Sequence, residues 1–570
     1  MSRWVGAGLT PPPHRDPSPR GSPMRRHAKR RHALRGCAIG LASLMLAAPS
    51  LQAQPAPQAQ PAPQAQAAEK AQASDKPAEA RKSADKGAET RGIPGGKLPA
   101  DAVTEHSVTL PGGRVLAFTA RAGSLPLVDE AGKLQAEIAY IAYTLKGQDG
   151  AANPGEGGRP VTFALNGGPG AASAYLNIGA IGPWRLPVEG ASISPSAPIG
   201  LVPNDGTWLD FTDLVFIDPI GTGYSRAADG DAKRYWSIDA DASVLSSAIA
   251  RWLRTNDRMA APKFFVGESY GGFRGPLIAS KLQEEIGVGL SGMVLLSPVL
   301  DFAWLQAPRT TPWGHVIKLP SFAAAAIERA GGTPTRQTMA DAEAYATGPY
   351  LADLLKGPSD SAAVARLGDR VGALAGLDPA FVRRQAGRLS GQSVQREIGR
   401  DTGRVASAYD TGVTGWDPDP SAAYSGFEDP LLTGLQAPLT SAMLALYTEK
   451  LNYRVPDLRY ELLNSAVNRG WTWGGGRSAP EALGALRGVL ALDGNLRVLV
   501  AHGYTDLVTP YFASKLLIDQ MPAFGGGRLD LAVYPGGHMF YSRPDSRAAF
   551  HTDAAALFAA ALKARNAAQR

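Results

Sequence analysis

A single cysteine, Cys37, occurs in 570 residues, so a disulfide within the chain and a cysteine-built metal site are both excluded. Positive charge is scarce too once its location is noted. The net charge is +7, but residues 1–35 carry nine basic side chains against Asp16 alone, which leaves −1 for everything after them. The body of the protein therefore offers no basic surface to a nucleic acid. Long apolar runs are missing as well. The run from Cys37 to Pro49 is too short to span a bilayer comfortably, so no integral membrane segment is expected once a leader is removed. No Gly-Lys-Ser or Gly-Lys-Thr follows the glycine-rich stretch Asn166–Gly170, which argues against a phosphate loop, and nothing calls for a metal or another cofactor.

What is present begins with a leader. Basic residues, then the short apolar run, then small residues near Leu51-Gln52-Ala53 are the parts of a secretory signal over residues 1–53. Arg30-Arg31 resembles a twin-arginine export signal, and Met24 is a candidate start. The reading is an exported protein, periplasmic or secreted; a disordered basic tail or a core helix are the competing readings. Residues 54–100, rich in Ala, Pro and Gln and then in Ala, Lys, Glu and Asp, hold too little apolar surface to offset the entropy of ordering them and read as a linker.

Folded sequence follows. Strands are predicted at His106 to Leu110, Val115 to Ala122 and Ala136 to Leu145. Short apolar runs then alternate with helical patterns such as Trp236 to Arg254: Val161 to Leu165, Leu214 to Ile217, Phe264 to Val266, Met293 to Leu296, Leu496 to Ala501 and Leu529 to Tyr534. That alternation predicts an α/β fold with a mostly parallel sheet covered on both faces. The rhythm stops after Pro298. Residues 101–300 and 487–570 are read as the α/β domain and residues 301–486 as a helical cap inserted over the carboxyl edge of the sheet.

Three segments meet one chemical requirement. A serine hydroxyl is a poor nucleophile at neutral pH and needs a histidine to take its proton and a carboxylate to orient that histidine. Ser269 lies in Gly267-Glu268-Ser269-Tyr270-Gly271, between a strand candidate and the helical pattern Phe273 to Glu285, as a nucleophile elbow would. With 65 glycines in the chain the pattern alone is weak, and an ordinary βα turn is the alternative. Asp506 follows one strand candidate and a predicted turn, His502 to Thr505; His538 follows another and the loop Pro535 to Gly537. All three arrive at the same sheet edge in the order Ser, Asp, His. Glycines in Asn166–Gly170 let backbone N–H groups approach a ligand, which suits an oxyanion hole, with a plain turn as the alternative.

Several motifs occur together: Asn166 to Gly170, Gly182-Pro183, Asp218-Pro219 with Gly221 to Ser225, Gly267 to Gly271, Gly503 with Asp506 and Pro510, and Gly537-His538-Met539. In this combination and order the chain resembles the serine carboxypeptidase family, peptidase family S10, in a bacterial-type form. The resemblance implies an α/β-hydrolase fold with a helical cap and removal of C-terminal residues from peptides through an acyl-enzyme on Ser269. It implies Gly168 and Tyr270 as oxyanion-hole donors, and Asn166, Gly167, Glu268 and Met539 as substrate-binding residues, Asn166 and Glu268 taking the terminal carboxylate. Two carboxyl groups can share a hydrogen bond only if one is protonated, which links Glu268 to acid conditions; a locally bonded elbow residue is its other reading. Two positions depart from the family, Ala164 where a Trp is usual and Ala180 where a Glu is usual. Both belong to its carboxylate-binding network. An esterase or acyltransferase on the same triad therefore stays open, as does a non-catalytic peptide-binding protein. The cap tryptophans Trp304, Trp313, Trp416, Trp471 and Trp473 line a pocket or fill a core, and the oligomeric state is not readable.

Overall fold

A computed structural model describes residues 97–147, 158–188, 194–196, 200–524 and 526–568. The leader, and the linker up to residue 96, lie outside the described residues. Nine strands form the main sheet: β1 (Ala102–Thr109), β2 (Val115–Val128), β3 (Leu134–Leu145), β4 (Val161–Leu165), β5 (Asp213–Ile217), β6 (Lys263–Glu268), β7 (Gly292–Leu296), β8 (Arg497–Gly503) and β9 (Leu529–Tyr534). Their spatial order is β1-β2-β3-β5-β4-β6-β7-β8-β9, with the two-residue strand Arg226–Ala227 added against β3. The pairs from β1 to β5 in that order are antiparallel and all later pairs parallel. This is the α/β-hydrolase fold.

Composition explains the two halves. Strand β1 alternates partly buried and exposed side chains, as an edge strand with one wet face must. Strands β4 to β7 are buried along nearly their whole length, which is why they read as continuous apolar runs. Their residues alternate between two apolar cores: Ala164, Val266, Val294 and Leu296 enter one, and Phe163, Leu165, Phe265 and Leu295 the other. Helix α1 (Ile238–Thr255) seals the second core with Ala242, Leu245, Ile249 and Leu253. It starts where the Ser237 side chain accepts a hydrogen bond from Ala240 N, and Asp239 and Asp241 in its first turn suit the positive end of the helix dipole. A long C-terminal helix, Pro544–Ala568, covers the first core with Phe550, Ala554, Phe558 and Ala561. Phe558 stacks on Phe264 of β6 at a centroid distance of 3.7 Å, and each buried phenylalanine contributes about 1.5–3 kcal/mol.

Helix α2 (Tyr270–Lys281) follows β6 directly. The sequence places its start at Phe273; the helix begins three residues earlier, because Gly271 and Gly272 hide its N-terminus from propensity while tight packing supplies it. Likewise His502 and Gly503, expected in a turn, extend β8 by pairing with Val533 and Tyr534. Between β7 and β8 the chain is mainly helical, but it also holds a two-stranded antiparallel ribbon, Arg404–Ala406 with Thr414–Trp416, that the helical reading of residues 301–486 did not include. Among the described residues no helix is long and apolar enough to cross a membrane.

One buried ion pair ties α1 to α2. Arg274 Nε donates to Asp241 Oδ2 at 2.5 Å, and Arg274 Nη1 donates to the Asn166 carbonyl at 2.5 Å, so the same guanidinium fixes the loop after β4. Replacing Arg274 by Met leaves the buried Asp241 carboxylate without a counter-charge. A loss of about 3–5 kcal/mol is expected, read as a lower urea midpoint at unchanged slope.

Candidate active site

Ser269 sits on the turn between β6 and α2 with φ 61° and ψ −122°, a backbone region that residues with side chains rarely occupy. Neighbouring glycines make the turn fit. A Cβ on Gly267 would lie 2.1 Å from the Gly271 carbonyl oxygen, and one on Gly271 would lie 2.3 Å from that of Leu165. The turn is anchored to the next strand by Ser269 N donating to Leu296 O at 2.9 Å.

The loop after β4 lies directly over it. A Cβ on Gly167 would come within 2.5 Å of Tyr270 N, and Gly168 holds φ +99°. Tyr270 opens a helix, where first-turn N–H groups have no intrahelical acceptor. The backbone of this loop at Gly167 is thereby packed against the Tyr270 N–H.

Asp506 and His538 reach the same edge from β8 and β9. His538 Nδ1 and Asp506 Oδ2 are 2.8 Å apart, with both residues buried. Asp506 Oδ1 accepts from Val508 N at 2.8 Å and Thr509 N at 2.9 Å, and Oδ2 also accepts from Thr509 Oγ1 at 2.7 Å. His538 is fixed in turn: its N donates to the Tyr409 carbonyl at 2.5 Å, its carbonyl accepts from Ser297 Oγ at 2.9 Å, and the Tyr409 ring meets the imidazole edge-on at 5.2 Å. Ser269 Oγ and His538 are not joined by a hydrogen bond among the described residues. Of the two contacts a triad requires, the imidazole–carboxylate contact is formed, and the serine shares its edge through Leu296, Ser297 and His538.

Glu268 turns inward beside Ser269 and is 3% exposed. Its Oε2 accepts from Asn166 Nδ2 at 2.8 Å, and both oxygens accept from Tyr541 Oη at 3.0 Å. Asn166 is oriented by its Oδ1, which accepts from Leu176 N at 2.9 Å. So Asn166 and Glu268 are joined directly. Met539 is buried and lines a cavity beside His538. Ala164 lies in the core of β4, and Ala180 is buried on a π-helical segment, Tyr175–Ile181. The tryptophans divide: Trp471 and Trp473 pack edge-on against Tyr270, while Trp416 is 74% exposed. Tyr541, Thr509, Tyr409 and Arg274 were not read from the sequence. Thr509 stood next to the quoted Pro510, but nothing marks the others.

Burial shifts the titration of these groups. It pushes Glu268 up, against the pull of His538, Tyr541 and Asn166. For Asp506 burial acts upward as well, but the charge and hydrogen bond of His538, with the backbone and hydroxyl hydrogen bonds of Thr509, outweigh it, and the carboxyl is held below its usual range. Burial would lower His538; the Asp506 charge and hydrogen bond, then the Glu268 charge, raise it instead. Buried His502, bonded to Ser514 Oγ at 2.8 Å, is lowered by burial to about 4 and stays neutral.

The serine carboxypeptidase family profile matches residues 150–317. That stretch holds the Asn166 loop and the elbow but not Asp506 or His538. The pheromone-processing carboxypeptidase of Yarrowia lipolytica is 31% identical over 147 residues, which is 25% of this chain and 22% of the relative. Serine carboxypeptidase-like 51 of Arabidopsis thaliana is 27% identical over 164 residues, 28% of this chain and 33% of the relative. The chain thus spans between about a fifth and a third of the length of these relatives. Among solved structures, a prohormone-processing carboxypeptidase from Saccharomyces cerevisiae aligns with a TM-score of 0.49 at 16% identity, over 76% of this chain and 90% of that one. A proline iminopeptidase from Mycobacterium smegmatis aligns with a TM-score of 0.34 at 16% identity, over 78% and 99%.

Glu268→Gln removes one of the negative charges that raise His538. With His538 as general base, which must be neutral, activity would rise as pH climbs through its pKa, and lowering that pKa would move the acid limb toward lower pH. The shift is expected in the kcat profile for an ester without a free carboxylate; an unmoved limb would show that Glu268 carries no charge felt by His538.

Proposed function

We propose that the chain is a member of the serine carboxypeptidase family, a serine-type carboxypeptidase that hydrolyses the last residue from peptides through an acyl-enzyme on Ser269. The observation that carries this reading is the buried Asn166–Glu268 pair at 2.8 Å, immediately beside the nucleophile turn. A protonated carboxyl beside an amide can hydrogen-bond both oxygens of a carboxylate. That suits a peptidase that reads a free C-terminus.

In the proposed reaction Ser269 Oγ attacks the last peptide carbonyl while His538 Nε2 takes the hydroxyl proton. Asp506 supports this role because it occupies the other ring nitrogen and stabilises the imidazolium. The oxyanion is met by the N–H groups of Gly168 and Tyr270. As the intermediate collapses the C–N bond breaks, His538 returns the proton to the leaving amine, and the acyl group stays on Ser269. Water activated by His538 then cleaves the ester and restores the serine. Asn166, Gly167 and Glu268, the last protonated below its raised pKa, hold the terminal carboxylate, and Met539 borders the leaving residue. Residues 301–486 serve as the cap, a role supported by Tyr409 against His538. The leader, in this reading, exports the enzyme to the periplasm or the exterior.

Ala164 and Ala180 favour a second reading, an esterase or acyltransferase on the same triad, because two members of the family's usual carboxylate network are absent. Incubation with blocked dipeptides at acid pH separates the two. Cleavage is expected for free C-termini, with kcat falling by at least about 10⁴-fold in Ser269→Ala. Turnover of simple esters without any dipeptide cleavage would favour the second reading. Failure of a fluorophosphonate to label Ser269 would leave a peptide-binding protein instead.

A further inference from the structure

Arg543 follows His538 closely in the chain, and its guanidinium joins segments that are far apart in sequence. Nη1 and Nη2 donate to the two oxygens of Glu328 at 2.7 and 3.0 Å, near the end of the helix Leu319–Arg329. Nη2 also donates to Asp410 Oδ1 at 2.8 Å and to Oδ2 at 2.9 Å, and Nε donates to Oδ2 at 3.3 Å. Asp410 is 3% exposed, so its ionised form depends on such donors. Its Oδ1 accepts further from Gly412 N at 2.9 Å and from the hydroxyl of Thr505, the residue before Asp506, at 3.1 Å.

The residue before Asp410 is the one that meets His538. Tyr409 accepts the His538 N–H on its carbonyl and sets its ring edge-on to the imidazole. The approach is so close that a Cβ on Gly537 would collide with the Tyr409 carbonyl oxygen. This loop, between the two ribbon strands, is braced within itself. Ser407 Oγ donates to Asp429 Oδ1 at 2.7 Å and accepts from Tyr409 N at 2.9 Å, while the Asp410 carbonyl accepts from Val413 N at 2.9 Å. A displacement of Asp410 therefore carries Tyr409 with it. The planar guanidinium fork fits both carboxylates at once, which the single ammonium of a lysine cannot do.

Resting on the triad of the peptidase reading, we propose that Arg543 is a positioning residue of the reaction: by clamping Glu328 and Asp410 it seats the Tyr409 carbonyl on His538 N and thereby sets where the imidazole stands. Ser297 Oγ holds the His538 carbonyl, so the backbone of the base is gripped from two directions. Losing the clamp frees one grip. A misplacement on the order of 1 Å at a reacting group costs about 10²-fold in rate, so a small shift of the loop is enough to register in kcat.

Steady-state kinetics on two substrates test this: a blocked dipeptide with a free C-terminus, and the ethyl ester of a blocked amino acid, which has no carboxylate. In Arg543→Ala, kcat is expected to fall about 10–100-fold by the same factor for both, with KM little changed, because both reactions use the imidazole. Millimolar guanidinium ion should restore kcat by at least about fivefold, and ethylammonium, a point charge without the fork, should restore little. A folded Arg543→Ala variant whose kcat stays within about twofold of wild type, or whose loss guanidinium leaves untouched, overturns the proposal. So does a loss confined to the dipeptide. If the alanine variant does not fold, Arg543→Lys, which keeps a charge beside Asp410, decides in its place: kcat within about twofold of wild type overturns the clamp, and a larger loss shared by both substrates supports it. Wild type that turns over the ester but not the dipeptide overturns the peptidase reading alone, since the ester still reads the clamp. Wild type that turns over neither overturns both.

Discussion

A carboxylate taken out of water survives only if donors replace its hydration, and the arrangement at the sheet edge follows from how Asp506 meets that demand. Four donors converge on it: two backbone N–H groups from its own turn, the Thr509 hydroxyl, and the imidazole of His538. The turn after β8 has to fold back on itself to supply the first two. The last requires β9 to deliver His538 in one register. Ser297, just past the end of β7, closes the set by donating to the His538 carbonyl.

The Ser269 side is built on backbone proximity rather than charge. Gly167, Gly267 and Gly271 allow the β4 loop, the β6 end and the α2 start to approach within distances that any Cβ would block. Arg274 then locks that contact by holding the Asn166 carbonyl and the Asp241 carboxylate together. Ser269 accepts an unfavourable φ in exchange, and the surrounding packing over-determines it. Glu268 joins the two sides electrostatically. It shares hydrogen bonds with Asn166 and Tyr541 and its charge also raises His538, so its protonation bears on both sides.

Much of this was legible because burial on both faces leaves a plain imprint. Val161–Leu165 and Leu529–Tyr534 match the apolar runs read from the sequence residue for residue, and the other sheet strands differ mainly at their ends. Errors fell where tertiary packing overrides local preference. His502 and Gly503 read as a turn, yet β9 pairs with them and keeps them in the sheet. Gly271 and Gly272 weaken the helical signal at the point where the helix has to begin. The ribbon at Arg404–Ala406 is three residues long, too short to show a period.

Sequence alone determined the chemistry on offer: an alcohol, an imidazole and a carboxyl, each just past a strand, and a glycine-rich loop ahead of them. Those signals are local, since strand, turn and glycine each leave their mark within a few residues. The tertiary structure alone decided which groups are paired and which are left over. Tyr541 on Glu268 and Arg274 on Asp241 join residues far apart in the chain, and the unpartnered Tyr175 hydroxyl is a fact about space. A hydrogen bond between remote residues depends on how the whole sheet and its helices pack, and no short window of sequence carries that information.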